Sequence, residues 1–193
     1  MQTPTADTVV LIPIRSFDDS KSRLAGALDH DSRRRLTMRM AARVIAAARD
    51  LPVRIVTDDS GVVDWAHGND VGVLSVGVTG LNPSVTAAVA HAARVGYTRA
   101  IVAHADLPAA LDLSVVAGPG VRIAPDRARD GSNVMCVPTD AGFAFAYGPE
   151  SFRRHCAEAE RLGLPLTVVD DDSLAWDVDD PDDLPHDWED WND

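Results

Sequence analysis

The sequence predicts a single α/β domain, with a mostly parallel sheet flanked by helices on both faces. Three observations carry that prediction. Short β-branched apolar runs alternate along the chain with segments of helical period, the order that builds parallel sheets. A length of 193 residues suits one core rather than two. The balance of 46% hydrophobic and 25% charged residues is that of an ordinary globular protein.

Taken in order, Thr8 to Ile14 (TVVLIPI) is apolar, β-branched and closed by a proline, and reads as a buried first strand. A polar loop, Arg15 to Arg23, follows it. Ser32 is placed to cap a helix from Arg33 to Asp50, whose Leu36, Met40, Val44 and Ala48 recur every four residues and should face the sheet. Val53 to Thr57 is the second strand, Gly61 to His67 a short helix, and Val71 to Val76 the third strand. Pro83 to Arg94 is Ala-rich, with Pro83 suited to a first helical turn and Gly96 to a stop. Strands are expected at Arg99 to Ala103, Gly120 to Ala124, Val134 to Val137 and Phe143 to Ala146. A helix from Pro149 to Leu162 ends at Gly163, and Leu166 to Val169 is a late strand.

Charge and composition narrow the function. From Asp170 to Asp193 there are twelve acidic residues and no Lys or Arg, so Met1 to Val169 is neutral and the net charge of -12 sits in the C-terminal segment. Such a segment repels nucleic acid and anionic membranes, which argues against both as partners. It reads as a solvated tail from about residue 185. No apolar run reaches the roughly 20 residues of a membrane span, and Met1 to Asp7 lacks the pattern of a signal peptide. Two cysteines without metal spacing, Cys136 and Cys156, fit a reducing cytoplasm. Seventeen of the eighteen basic residues are Arg; Lys21 is the one Lys.

Ligands of open α/β sheets bind beyond the carboxyl ends of the strands, and the loops there carry unusual chemistry. Arg15, Lys21 and Arg23 put three cations after the first strand, the residue types that hold a triphosphate and stabilise a leaving pyrophosphate. They do so without the GxxxxGK[ST] of a P-loop. Asp106 in HADLP closes the fourth strand, where a carboxylate can hold Mg²⁺ against a phosphate, or simply cap a turn. His104 shares its strand face and reads more readily as packing than as a ligand. Asp177 and Asp179 alternate, so on extended backbone both face one side and could complete a metal site with Asp106. Equally, Asp180 could cap a short helix begun by Pro181. Gly131, Ser132 and Asn133 offer donors to an anion or serve a turn, and Tyr147 to Ser151 supplies an N–H and a hydroxyl at a helix N-terminus, for an anion or as an ordinary helix cap. The six His lack ligand spacing, and GxSxG and GxGxxG are absent.

In order along the chain, IPIRSFDDSKSRL, VTDD, GLNPSV, HADLP, APDRARDGSNV, FAYGPESF and DVDDPDDL resemble the CofC-type guanylyltransferases. These enzymes make the phosphoanhydride precursor of the deazaflavin coenzyme F-420. The resemblance runs from Val9 to about Leu184 and implies a Rossmann-like, GT-A-like nucleotidyltransferase fold. It implies that Arg15, Lys21 and Arg23 meet the triphosphate of GTP, and that Thr57, Asp58 and Asn82 line the nucleotide pocket. It further implies that Asp106 holds Mg²⁺ with Asp179 or Asp177, and that Ser132, Asn133, Gly148 and Ser151 contact a small phosphorylated acid. Phosphoenolpyruvate is the first choice of acceptor and 2-phospho-L-lactate the second. A different acceptor (3-phosphoglycerate, a molybdopterin or a sugar phosphate), a non-catalytic GTP-binding paralogue, and a homodimer are left open.

Overall fold

A computed structural model describes residues 7–18 and 21–190, and for Glu189 the backbone alone. Met1–Ala6 and Asp19–Ser20 of the first loop lie outside them. Seven strands, β1 (Thr8–Pro13), β2 (Val53–Val56), β3 (Gly72–Leu74), β4 (Arg99–Ala103), β5 (Val121–Pro125), β6 (Ser132–Pro138) and β7 (Leu166–Val168), form one sheet in the order β3-β2-β1-β4-β6-β5-β7. β6 pairs antiparallel with both β4 and β5, while the β1–β2, β1–β4, β2–β3 and β5–β7 pairs are parallel. The sheet is therefore parallel except for β6. That reversal matters for the site, because it brings the start of β6, Ser132 and Asn133, to the edge where β1, β2, β4 and β5 end.

Apolar packing on both faces follows from the central strands β1, β4, β6 and β5, which are almost wholly buried. On one face Val10, Ile12, Ile55 and Ile101 pack with Ala41, Val44 and Ala48 of α1 (His30–Ala47) and its C-cap, and with Val62 and Ala66 of α2 (Ser60–Gly68). On the other, Val9, Leu11 and Val102 meet Val85, Ala88 and Ala92 of α3 (Leu81–Arg94), with Ala159 of α4 (Ser151–Arg161). A third cluster joins Leu24, Leu36, Met40, Val178 and Trp188.

Several details differ from the sequence reading. α1 begins three residues earlier than Arg33. Its N-cap is Asp29, whose carboxylate accepts the Ser32 N–H at 2.7 Å; Ser32 is the residue capped rather than the cap. Leu36 and Met40 do not face the sheet as expected. They pack instead in the third cluster with Val178 and Trp188, so the acidic C-terminal segment is anchored to α1 where a solvated tail was expected. Phe143 to Ala146 forms no strand, despite its alternating burial. Its N–H groups are taken by side chains: Ala144 donates to Glu158 at 3.0 Å and Ala146 to His155 Nε2 at 2.9 Å, while the adjoining Tyr147 donates to Asn82 Oδ1 at 2.7 Å. Helices α3 and α4 thus do for this segment what a neighbouring strand would otherwise do. A short helix, α5 (Asp172–Ala175), also went unread. Pro181–Asp183 forms the expected short turn of helix, with the Asp183 carboxylate accepting from the Asp179 and Asp180 N–H groups.

Candidate active site

Two clefts open at the carboxyl edge of the sheet. The larger, about 680 Å³, is lined by Arg15, Lys21 and Arg23 from the first loop, by His104 and Asp106 beyond β4, by Asn133 of β6, by Tyr147, Gly148 and Ser151, and by Asp177 and Asp179. The second, about 600 Å³, is lined by Thr57, Asp58 and Asp59 beyond β2 and by the 76–84 stretch leading into α3. Pro13, Ile14, Arg15 and Leu81 line both, so the two adjoin across the end of β1.

Lys21 sits at the centre of the charge arrangement. Its Nζ donates to Asp106 Oδ2 at 2.5 Å and to Asp179 Oδ1 at 3.0 Å. The two carboxylates therefore lie no farther apart than those contacts laid end to end. Only 10% of the Lys21 side chain is exposed, against 20% for Asp106 and 53% for Asp179. Burial alone would lower the Lys21 pKa, but attraction to Asp106 and then Asp179 outweighs it and the net shift is upward. Asp106 shows the mirror image: burial acts upward, Lys21 and His104 act downward, and the carboxyl is held below its ordinary value. Among the described residues Asp177 forms no ion pair, and its partner is the Asn133 amide. Burial first, and the Asp106 charge second, push its pKa up. Lys21 takes up a left-handed backbone conformation, φ 55°, to aim its side chain inward at the head of the short helix Ser22–Gly26.

Asp106 arrives where β4 ends, and Val178 N–H donates to its carbonyl at 3.2 Å. That bond, with Val178 buried in the third cluster, holds the 176–180 segment across from β4 and places Asp177 and Asp179 on either side of it. Asn133 strengthens the junction, donating through Nδ2 to the Leu174 carbonyl at 3.0 Å and to Asp177 Oδ1 at 3.3 Å. Among the described residues no group of three or more His, Cys, Asp or Glu side chains converges on a metal position. The site nonetheless suits Mg²⁺, which takes oxygen donors and needs only one or two carboxylates. Asp106 Oδ1 is buried without a hydrogen-bond partner among the described residues, a hard donor beside the one Lys21 uses.

The other expected residues divide by geometry. Arg15 and Arg23 are exposed on the cleft; Arg23 reaches Asp180 only at 3.9 Å. Thr57 and Asp58 line the second cleft, where Asp58 accepts from the Ser75 hydroxyl. The structure does not bring Asn82 to either cleft wall: its amide clamps the backbone of Tyr147 from both sides, donating to the carbonyl at 3.3 Å and accepting the N–H at 2.7 Å. Gly148 and Ser151 line the larger cleft. Ser132 does not; it is fully buried, with its hydroxyl 2.9 Å from His155 Nδ1. At the head of α4 the Glu150 and Phe152 N–H groups donate to Asp130, through its carboxylate and its carbonyl, so this end is already partly satisfied. His104 packs on Tyr147 at 5.1 Å between ring centroids, as expected, and also lines the cleft. The sequence reading included Tyr147 in the stretch that opens α4 but gave it no role of its own, and it passed over His155. Their signal was the FAYGPESF stretch and a His four residues beyond Ser151 on the same helix face.

Residues 8–186, nearly the whole described chain, match the family described as guanylyl transferase CofC like. The chain belongs to that family. A phosphoenolpyruvate guanylyltransferase of Conexibacter woesei is 35% identical over 190 residues, covering 92% of this chain and 85% of its own. Another, of Sphaerobacter thermophilus, is 34% identical and covers 92% and 90%. Among solved structures, 4-diphosphocytidyl-2C-methyl-D-erythritol synthase superposes with a TM-score of 0.62 at 13% identity over 94% of this chain and 96% of its own, a likeness of fold alone. No helix among the described residues is long and apolar enough to cross a membrane.

Proposed function

We propose that this protein transfers a guanylyl group from GTP to phosphoenolpyruvate, releasing pyrophosphate. The single observation that carries the reading is the pair of adjoining clefts with Arg15 between them and the Lys21–Asp106–Asp179 cluster in the larger. The smaller cleft, with Thr57 and Asp58, takes the nucleoside. Arg15, Lys21 and Arg23 bind the triphosphate and offset the charge that gathers on the departing pyrophosphate. Gly148, Ser151 and Asn133 face the acceptor in the larger cleft. Asp106 and Asp179 would hold Mg²⁺, with Asp177 beside them. Once bound, that ion supplies Lewis-acid neutralisation of phosphate oxygens.

The reaction needs little else from the protein. An acceptor phosphate oxygen attacks the α-phosphorus in line, a new P–O bond forms, and the bond to the β-phosphate oxygen breaks. A phosphate monoester has a second pKa of about 6 and is largely dianionic at pH 7, so no general base is required. The protein's task is to hold two polyanions together against their repulsion, which is positional and electrostatic. Pyrophosphate release from GTP, measured separately with phosphoenolpyruvate, 2-phospho-L-lactate and 3-phosphoglycerate, tests the proposal. Turnover is expected with phosphoenolpyruvate first. A greater kcat/KM for another acid would replace the acceptor, and no release with any acceptor would remove the activity.

A further inference from the structure

Behind the acceptor wall of the larger cleft lie two buried polar residues, His155 and Ser132, that the reaction outlined above does not use. His155 is 0% exposed, sits one helical turn beyond Ser151 on α4, and is caged by Tyr147, Phe143 and Phe145, with Tyr147 edge-on at 4.9 Å between centroids. Its Nε2 accepts the Ala146 N–H at 2.9 Å. A ring nitrogen that accepts carries no proton, so in the neutral imidazole the proton is on Nδ1. Nδ1–H then donates to Ser132 Oγ, 2.9 Å away. Ser132 N–H in turn donates to Ser151 Oγ at 3.1 Å. Burial first, and the charges of His104 and Arg154 after it, lower the His155 pKa to about 4, so the ring stays neutral and this direction of bonding persists at neutral pH.

Each of these bonds has one consequence for the next. Ser132 is fully buried, its hydroxyl faces His155, and it is not among the residues that line the cleft, so its side chain is not the one offered to an acceptor. Ser151 Oγ, already accepting from the backbone N–H of Ser132, has its own O–H left to donate, and Ser151, though only 2% exposed, is among the residues that line the cleft. We infer that His155 is a positioning residue: through Ser132 it fixes the Ser151 hydroxyl as a donor toward the anionic group of the phosphorylated acid. The inference rests on the reading of the larger cleft as the acceptor site. It also gives the Ala146 bond a second task, since the same imidazole that replaces a strand partner for residues 143–147 sets the edge of the cleft beside Gly148.

The test compares His155→Leu, His155→Asn and Ser132→Ala with the full wild-type chain. Binding of phosphoenolpyruvate and of inorganic phosphate is measured by titration calorimetry, alongside KM for GTP and for acceptor. Asn carries its amide N–H close to the position of imidazole Nδ1. His155→Leu is expected to weaken phosphoenolpyruvate binding by about tenfold, the scale of one hydrogen bond to a charged group, with KM for GTP and kcat within about threefold of wild type. His155→Asn should recover most of that loss. Should the Leu variant fail to fold, Ser132→Ala, a loss of one buried oxygen, carries the same expectation. Unchanged acceptor affinity in folded variants would overturn the inference, as would a parallel loss in GTP and acceptor binding, or wild-type protein that binds neither phosphoenolpyruvate nor phosphate. The two readings fail separately. His155-dependent anion binding without pyrophosphate release removes only the activity, while turnover with His155-independent binding removes only the positioning role.

Discussion

Replacing Lys21 with Met removes one charge and leaves the volume nearly intact, so its effect on stability and on metal binding can be worked from the geometry. The Lys21 ammonium lies 2.5 Å from Asp106 and 3.0 Å from Asp179. At an effective permittivity near 20, unit charges about 4 Å apart attract by about 4 kcal/mol. Breaking a buried pair by removing one partner usually costs about 3–5 kcal/mol, because the other charge is left behind. Asp179 is half exposed, and solvent screens most of its share. Asp106 is 20% exposed and dominates. Lys21→Met should therefore lose about 3 kcal/mol at pH 7. The sign with pH follows from the two shifts. Asp106 has a depressed folded pKa, so its contribution is present above the unfolded value of about 3.9 and fades as pH falls through the native one. Lys21 is raised, so its contribution fades only as pH climbs past about 10.4. Urea denaturation should show a difference between wild type and variant that is level from about pH 5 to 10 and shrinks in acid. The same deletion frees two carboxylates for a divalent cation. Millimolar Mg²⁺, without nucleotide, should then stabilise the Met variant more than the wild type. Equal stability at pH 7, or equal stabilisation by Mg²⁺, would refute the view that Lys21 occupies the cation position of this site.

Asp106→Asn keeps the shape of the side chain but halves the charge across Lys21; turnover of GTP with phosphoenolpyruvate should fall by about 10²–10³, the scale of a lost electrostatic partner at a phosphoryl centre, and wild-type rates would exclude Asp106 from the mechanism. Trp188→Ala removes the aromatic anchor of the C-terminal segment and should cost about 3 kcal/mol in denaturant, with a weaker Mg²⁺ response, because the same segment carries Asp177 and Asp179. Asp177→Asn should raise the stability of metal-free protein at pH 7. The native pKa of Asp177 is raised by burial and by Asp106, so its ionised form is the unfavourable one, and the gain should shrink as pH falls through that raised value. Gly120→Ala puts a Cβ 2.3 Å from the Pro165 carbonyl oxygen at φ 70° and should destabilise by about 2 kcal/mol or more, seen as a lower Tm.

Much of this molecule was local and so legible in advance. Runs such as Thr8–Pro13 and Arg99–Ala103 are apolar because both faces of a parallel strand are buried, and the alternation with helices then fixed the class of sheet and the edge where ligands bind. The position of Asp106 at a strand end and of the cations after β1 followed from the same rule. Three features depended on contacts between distant segments. The strand-like Phe143–Ala146 pattern could not reveal that Glu158 and His155 would take its N–H groups, because pairing partners leave no mark on the strand itself. The acidic C-terminal segment read as solvated because charge dominates its composition, yet burying two apolar side chains, Val178 and Trp188, against Leu36 and Met40 is enough to fasten it. Spacing along the chain could set Asp177 and Asp179 on one side of a segment, but only the folded chain decided that Lys21, from 158 residues earlier, would lie between Asp179 and Asp106. Two carboxylates held this close at one edge favour a cation between them, and the fold supplies Lys21 from its own sequence.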